Sequence, residues 1–319
     1  MRYGEEVAAT GAASGTGSAN GKTVRFVMRM AVVIAMAIGL SVEGQSANGA
    51  TTGGSVPSVR LYVLDCGRLV RMDLSRFSLQ PSEVTTADLA VPCFLIVHPK
   101  GTLMWDVGAV PDSEWQPTGK TLTHSLKLPD GQSRDVELTK SLREQLLQIG
   151  RPPEKIDFLA VSHYHYDHTA NANAFAHSTW LVREVEKDGM FAATPAGTTR
   201  PTTYSALRDA KAVIIFSDDY DVFHDGTVVI KFAPGHTPGH QVLALRLAHT
   251  GPVLLSGDLY HFTAERTFDR VPTFDFNADQ TRASRVRVEK FLHDNGSALW
   301  IQHDPVANAK LRKAPLFYD

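Results

Sequence analysis

Within seven residues, Ser162-His163-Tyr164-His165-Tyr166-Asp167-His168, the chain places three imidazoles and a carboxylate. Groups this polar are costly to bury unpaired, so the fold must either expose the run or supply what it binds. It emerges from Phe158–Ser162, a short apolar stretch that reads as a buried strand, so the histidines stand at a strand end. His163 and His165, two apart on an extended chain, point to one side. Asp167 and His168 follow a turn and can face a second point nearby. Imidazole nitrogen and carboxylate oxygen are the donors that hold zinc-like divalent cations. A chance cluster on a solvated loop is the competing reading.

Three later residues weigh against chance. His236 lies in Pro234-Gly235-His236-Thr237-Pro238-Gly239-His240, a tight turn directly after the strand-like Val228–Phe232. Asp258 lies in Ser256-Gly257-Asp258 at the end of the apolar Val253–Ser256, and His303 follows Leu299–Gln302. Each candidate ligand thus sits where a strand ends, the place where α/β sheets gather their sites.

The rest of the chain reads as one continuous α/β domain. Arg60–Asp65, Pro92–His98, Thr102–Asp106 and Val242–Leu247 are further strands, and residues 109–137 form a polar excursion or hairpin. Leu138–Ile149 carries apolar residues at helical spacing and stops at Gly150; a longer helix covers about Asp279–Asp294. Pocket walls are expected from the 109–137 excursion, including Trp115, and from the segment Phe262–Phe274. With 319 residues, 43% of them hydrophobic, the chain can bury one large core. A net charge of −2 without charge blocks gives no footprint for nucleic acid.

Residues 1–50 stand apart. Lys22, Arg25 and Arg29 precede an apolar run from Met30 to Val42, followed by small residues at Gly44, Ser46, Ala47 and Ala50. This is the pattern of a secretory signal peptide, too short to span a bilayer, with an uncleaved anchor as the alternative. The segment before Lys22 is unusual for a signal and leaves Met28 or Met30 open as the start. Residues 1–50 are therefore read as an extension and signal peptide, 51–319 as a single domain, and the location as periplasmic or secreted. Cys66 and Cys93 lie in strand-like runs, where both a disulfide and free buried thiols are compatible with the pattern.

The order H-x-H-x-D-H, later His, later Asp and final His resembles the metallo-β-lactamase superfamily over nearly all of residues 59–305. Asp106-Val107-Gly108 is similar to that family's D-x-G turn. The resemblance implies an αββα sandwich with a dinuclear metal site at one edge of the sheets. By position, His163, His165 and His236 would hold one ion, Asp167, His168 and His303 the other, and Asp258 would bridge them. Zinc is the default for the two divalent ions, with iron, manganese and cobalt open. His240 and His261 occupy no ligand position and are expected as outer partners or packed residues. Asp106 would orient a histidine ligand or cap a turn. His98, His124, His177, His224, His249 and His293 read as ordinary loop or surface residues.

Two bridged ions imply hydrolysis by a metal-bridging hydroxide, with Asp167 orienting it and passing a proton to the leaving group. Tyr260 would set its hydroxyl against the oxyanion, or simply pack. Gly257-Asp258-Leu259-Tyr260-His261, Val271-Pro272-Thr273-Phe274 and Asn277-Ala278-Asp279-Gln280 look like the N-acyl-homoserine lactonase branch. Arg60–Gly67 and Val91–Leu95 look similar to its opening strands. One departure is that such lactonases often place a tyrosine three residues after the bridging aspartate, whereas Tyr260 comes after two. The expected activity is opening of an acylated lactone, hence quorum quenching. An organophosphate or carboxyl ester hydrolase is the alternative, ahead of a β-lactamase or a glutathione thioester hydrolase. The expected partner is a small molecule, with the membrane met only through the signal segment and a homodimer left open.

Overall fold

In a computed structural model describing residues 58–319, apart from 130, 195 and 197, alternation along each strand sorts side chains between layers. On strand β1 (Arg60–Leu69), Leu61 and Val63 enter one core while Leu64 and Cys66 enter another. On β2 (Leu89–His98), Phe94 and Ile96 take the first side, Cys93 and Leu95 the second. This period of two is what a sheet covered on both faces requires.

β1, β2 and β3 (Gly101–Trp105) form an antiparallel meander. The hairpin of β4 (Leu122–Lys127) and β5 (Ser133–Leu138) extends it on one side. Parallel strands β6 (Phe158–Ala160), β7 (Thr179–Val182) and β8 (Ala212–Ile214) extend it on the other. The order is β4-β5-β1-β2-β3-β6-β7-β8. A second sheet holds β9 (Asp219–Asp221), β10 (Val228–Phe232), β11 (Gln241–Leu247), β12 (Gly251–Leu255) and β13 (Ala298–Trp300). Its order is β13-β12-β11-β10-β9, with β12 and β13 parallel.

The two sheets meet through Leu61, Phe94, Trp105, Ile230, Leu243 and Leu255. Helices α1 (Leu142–Gln148), α2 (Tyr166–Thr169) and α3 (Glu184–Met190) follow or precede strands of the first sheet. α4 (Thr263–Phe268), α5 (Ala278–Asn295) and α6 (Pro305–Asn308) belong to the second half. Val288 and Leu292 of α5 cover Val242, Ala244 and Leu254 on the outer face of the second sheet. Each such buried side chain stabilises by roughly 1.5–3 kcal/mol. Asn277 starts α5 by accepting the Gln280 N–H at 3.0 Å, and Gly296 ends it in the left-handed region. The layers are therefore αββα.

The helix expected from Leu138 begins later. Leu138 pairs with Leu122 as the last residue of β5, and Ser141 caps α1 by accepting the Glu144 N–H at 3.1 Å. The polar excursion is the β4–β5 hairpin plus its approach. Trp115 is buried in the core under the first sheet rather than on a pocket wall. His98 is not at the surface either: it is buried, stacked on Phe223 at 4.1 Å and paired with Asp225 at 2.9 Å. Cys66 and Cys93 are disulfide-bonded across a bulge in β1. Gly108, at φ +81°, lies against them, since a Cβ there would meet Cys66 Cβ at 3.0 Å. Among the described residues no helix is long and apolar enough to cross a membrane. The signal segment and the first residues of the domain read from the sequence lie outside the described residues.

Candidate metal centre and active site

β6 ends at Ala160, and the chain runs through Ser162 and His163 to His165, the extended residue immediately before α2. The helical turn that follows swings Asp167 and His168 to the other side of the same space. The turn after β10 carries His236, and Gly235 lets α5 approach: a Cβ there would lie 2.3 Å from the Thr281 nitrogen. Gly257, at φ +49°, makes the turn after β12 that presents Asp258, and a Cβ there would strike His240 at 2.6 Å. His303 follows β13. All seven candidate ligands converge, His163, His165, His236 and Asp258 in one group and Asp167, His168 and His303 in the other. Within each group the donor atoms lie within 4.8 Å of one another.

Asp258 faces both groups. Its Oδ1 lies 3.1 Å from His168 Nε2 and 3.0 Å from His303 Nε2. Its Oδ2 lies 3.3 Å from His236 Nε2 and 3.6 Å from His163 Nε2. Asp167 Oδ2 is 3.7 Å from His303 Nε2.

The far ring nitrogens decide what these near atoms offer. His236 Nδ1 meets Asp275 at 2.9 Å, His168 Nδ1 meets Asp106 at 3.0 Å, and His303 Nδ1 donates to the Ala90 carbonyl at 2.6 Å. In a neutral ring each such bond leaves the lone pair on Nε2, turned toward Asp258. His168 Nε2 and His303 Nε2 then face each other at 3.1 Å, and His236 Nε2 faces His165 Nδ1 at 3.0 Å. His163 Nε2 is buried with no hydrogen-bond partner. Acceptors aimed at acceptors need positive charge between them. The field already asks for it: burial alone would lower His168 and His236, yet the carboxylates hold His168 well above the usual histidine range. Asp258 and Asp275 likewise bring His236 up to about 9. The donor set fits divalent cations, with carboxylate and carbonyl partners orienting the imidazoles.

His240 is a supporting residue. Its Nδ1 donates to the Ala233 carbonyl at 2.8 Å and its Nε2 accepts the Asp258 N–H at 2.9 Å, while burial pushes the ring down to about 4 and keeps it neutral. Tyr260 requires correction. The backbone is extended at Tyr260, so it and His261 point to opposite sides. The Tyr260 hydroxyl donates to Glu289 at 3.1 Å and Arg285 lies 4.2 Å over its ring, away from the ligands. His261 takes the inward place, with Nε2 3.1 Å from Asp258 Oδ2 and its backbone N–H on buried Glu265 at 3.1 Å. His165, Asp167, Asp258 and His261 floor a cavity of about 400 Å³. Its walls include Tyr166, Phe77 and Phe274, with residues 132–135 from the β4–β5 hairpin.

Two supporting residues were not singled out from sequence. Asp275 had no local signal, being one acid in a loop. Glu186, on α3, is fully buried and ties the two ligand loops together. Its carboxylate accepts the Tyr164 N–H at 2.8 Å, the Gly239 N–H at 2.7 Å and the Thr237 hydroxyl at 2.9 Å. Burial pushes this carboxyl up to about 7 against the pull of those donors.

The Metallo-beta-lactamase superfamily profile matches residues 86–294. The sandwich and its strand-end donor cluster thus define the class, and the chain belongs to the metallo-β-lactamase superfamily. It is 28% identical over 267 residues to the N-acyl homoserine lactonase AttM of Azorhizobium caulinodans, covering 82% of this chain and 99% of AttM. The fold is similar, with TM-score 0.65 and 23% identity, to an N-acyl homoserine lactone hydrolase with the product N-hexanoyl-L-homoserine bound at its catalytic metal centre. That match covers 81% of this chain and 98% of the other. AidC, a dizinc quorum-quenching lactonase, matches with TM-score 0.59 and 19% identity over 82% of this chain and 94% of AidC.

Glu186→Gln should weaken metal binding by about tenfold to a hundredfold, because an amide puts a donor against one of the N–H groups that the carboxylate accepts. Competition with a chromophoric chelator measures it. Unchanged affinity would show that the two loops hold their place without Glu186.

Proposed function

We propose that this chain opens the ring of N-acyl homoserine lactones as a dinuclear metallo-hydrolase, with zinc as the metal. The observation that carries the reading is Asp258, whose two oxygens face two separate histidine groups at the floor of an open cavity of about 400 Å³. Names given to the relatives, AttM and AidC among them, support the substrate class. His163, His165 and His236 would hold one ion, Asp167, His168 and His303 the other, and Asp258 would bridge. When bound, the ions supply Lewis acidity, activating water as a nucleophile and polarising the ester carbonyl.

The chain's own residues do the rest. Asp106, Asp275 and the Ala90 carbonyl fix the imidazoles in the tautomer that points Nε2 inward. Asp167, at the cavity floor, orients the attacking water and carries its proton to the ring oxygen as the carbonyl carbon to ring oxygen bond breaks. The product is the open N-acyl homoserine, with a carboxylate and a free hydroxyl. Phe77, Phe274 and Tyr166 line the cavity and would offer the acyl arm an apolar wall.

A pH-indicator assay on the metal-loaded protein should show fast proton release with an N-acyl homoserine lactone and little with a phosphotriester or a cephalosporin. Turnover of either of those with the lactone inert would replace the substrate class.

We also infer that the protein works outside the cytoplasm. The leader-like residues 22–50 and the Cys66–Cys93 disulfide support this, since such bonds persist in oxidising compartments. Residues 1–50 fused to a phosphatase that is active only after export should yield active enzyme in a bacterial host. An inactive, cytoplasmic fusion would overturn the inference.

A further inference from the structure

A buried primary amide has to satisfy an acceptor at one end and a donor at the other. Gln302, just past β13 and 2% exposed, does so across both sheets. Its Oε1 accepts the Gly257 N–H at 2.8 Å and the Trp105 indole N–H at 3.1 Å. Its Nε2 donates to Asp106 Oδ2 at 2.9 Å. Its backbone N–H donates to the Ser256 hydroxyl at 3.1 Å. The residue thus ties together the exits of β3, β12 and β13, and each exit leads into the candidate metal centre.

What each bond holds differs. Gly257 makes the turn before Asp258, so the contact at Oε1 fixes where the bridging carboxylate is presented. Asp106 stands at φ +57°, a left-handed conformation that a residue with a Cβ keeps only when its surroundings hold it. Its Oδ2 receives both Gln302 Nε2 and His168 Nδ1, the latter at 3.0 Å. One lone-pair direction is taken by the amide, and the other is left for the imidazole. The Ser162 hydroxyl lies 3.1 Å from the same Nδ1, a neutral acceptor that would compete if the carboxylate turned away. The chemistry of the position is narrow. A carboxylate at 302 could accept both N–H groups but would set like charge against Asp106. An aliphatic side chain would leave all three partners unpaired in the core.

We propose that Gln302 is a positioning residue for the metal centre, a single amide that sets His168 through Asp106 and Asp258 through Gly257. It governs chiefly the ion assigned to Asp167, His168 and His303. The other ion depends on it less, because Asp275 sets His236 and Glu186 ties the loops that carry His165 and His236. This inference rests on the dinuclear reading of the site. Partners one layer outside the ligands act in this way, by fixing ring orientation and donor strength.

The test is a cobalt(II) titration of the full chain, followed by visible absorption, with a competing chelator to give each affinity. In Gln302→Glu one of the two ions should bind about tenfold to a hundredfold more weakly. The absorption of that variant with a single ion bound should match that of His168→Ala. Trp105→Phe is the structural comparison, since it removes a donor from the same Oε1 and leaves the amide in place. It should lower the unfolding midpoint and keep both affinities. Should Gln302→Glu fail to fold, Gln302→Met, of similar length and uncharged, carries the same comparison. Unchanged affinities in the Gln302 variant overturn the proposal. Equal weakening of both ions, or the same selective loss in Trp105→Phe, also overturns it and reduces Gln302 to core packing. A wild-type chain that takes up fewer than two ions overturns the dinuclear reading, and the proposal with it.

Discussion

Everything around the site depends on one unresolved electrostatic demand, a buried carboxylate ringed by imidazole lone pairs. Asp258 is almost fully buried, and its oxygens face His168, His303, His236 and His163 within 3.6 Å. Asp258 Oδ2 meets His261 Nε2 at 3.1 Å, while Oδ1 is buried with no hydrogen-bond partner, and a buried carboxylate oxygen left unpaired is costly to hold. Divalent cations meet the demand of both donor groups at once. Bound metal is therefore also a source of folding stability, because it binds the assembled site and not the dispersed ligands.

The sandwich supplies the convergence and little else. Strand ends of both sheets open onto one edge, and the glycines at 235 and 257 allow turns tight enough to bring α5 and His240 against the ligand loops. Rigidity comes from acceptors one layer out. Asp106 also accepts the Ser162 N–H at 2.6 Å, so a single carboxylate orients His168 and anchors the strand exit that carries His163. Glu186 does the corresponding work between the His165 and His236 loops. These residues explain how so many polar groups remain ordered in a core: each is fixed by its far side.

The ligands themselves were legible in the sequence because four of them fall in one short run, and the others each end an apolar strand. β1, β2 and β11 were legible as strands, each being a short run rich in apolar residues, though the sequence reading did not say which faces they bury. Asp275 and Glu186 were not, since an acid in a loop or on a short helix carries no local mark of what it will touch across the fold. Tyr260 misled because its nearness to Asp258 says nothing about side. A one-residue difference in an extended segment sends Tyr260 to Arg285 and Glu289 and brings His261 inward. The short parallel strands β7 and β8 have too few residues for periodicity to speak; β7 adds to the edge of β6 and β8 to that of β7.

Metal content after equilibrium dialysis against a divalent ion, measured on the wild-type chain and on Asp258→Ala, tests the bridged centre most directly. Two ions per wild-type chain, falling to one or none in the variant, is the expected result. A single ion in the wild type, or two retained without Asp258, would contradict a centre built around that carboxylate.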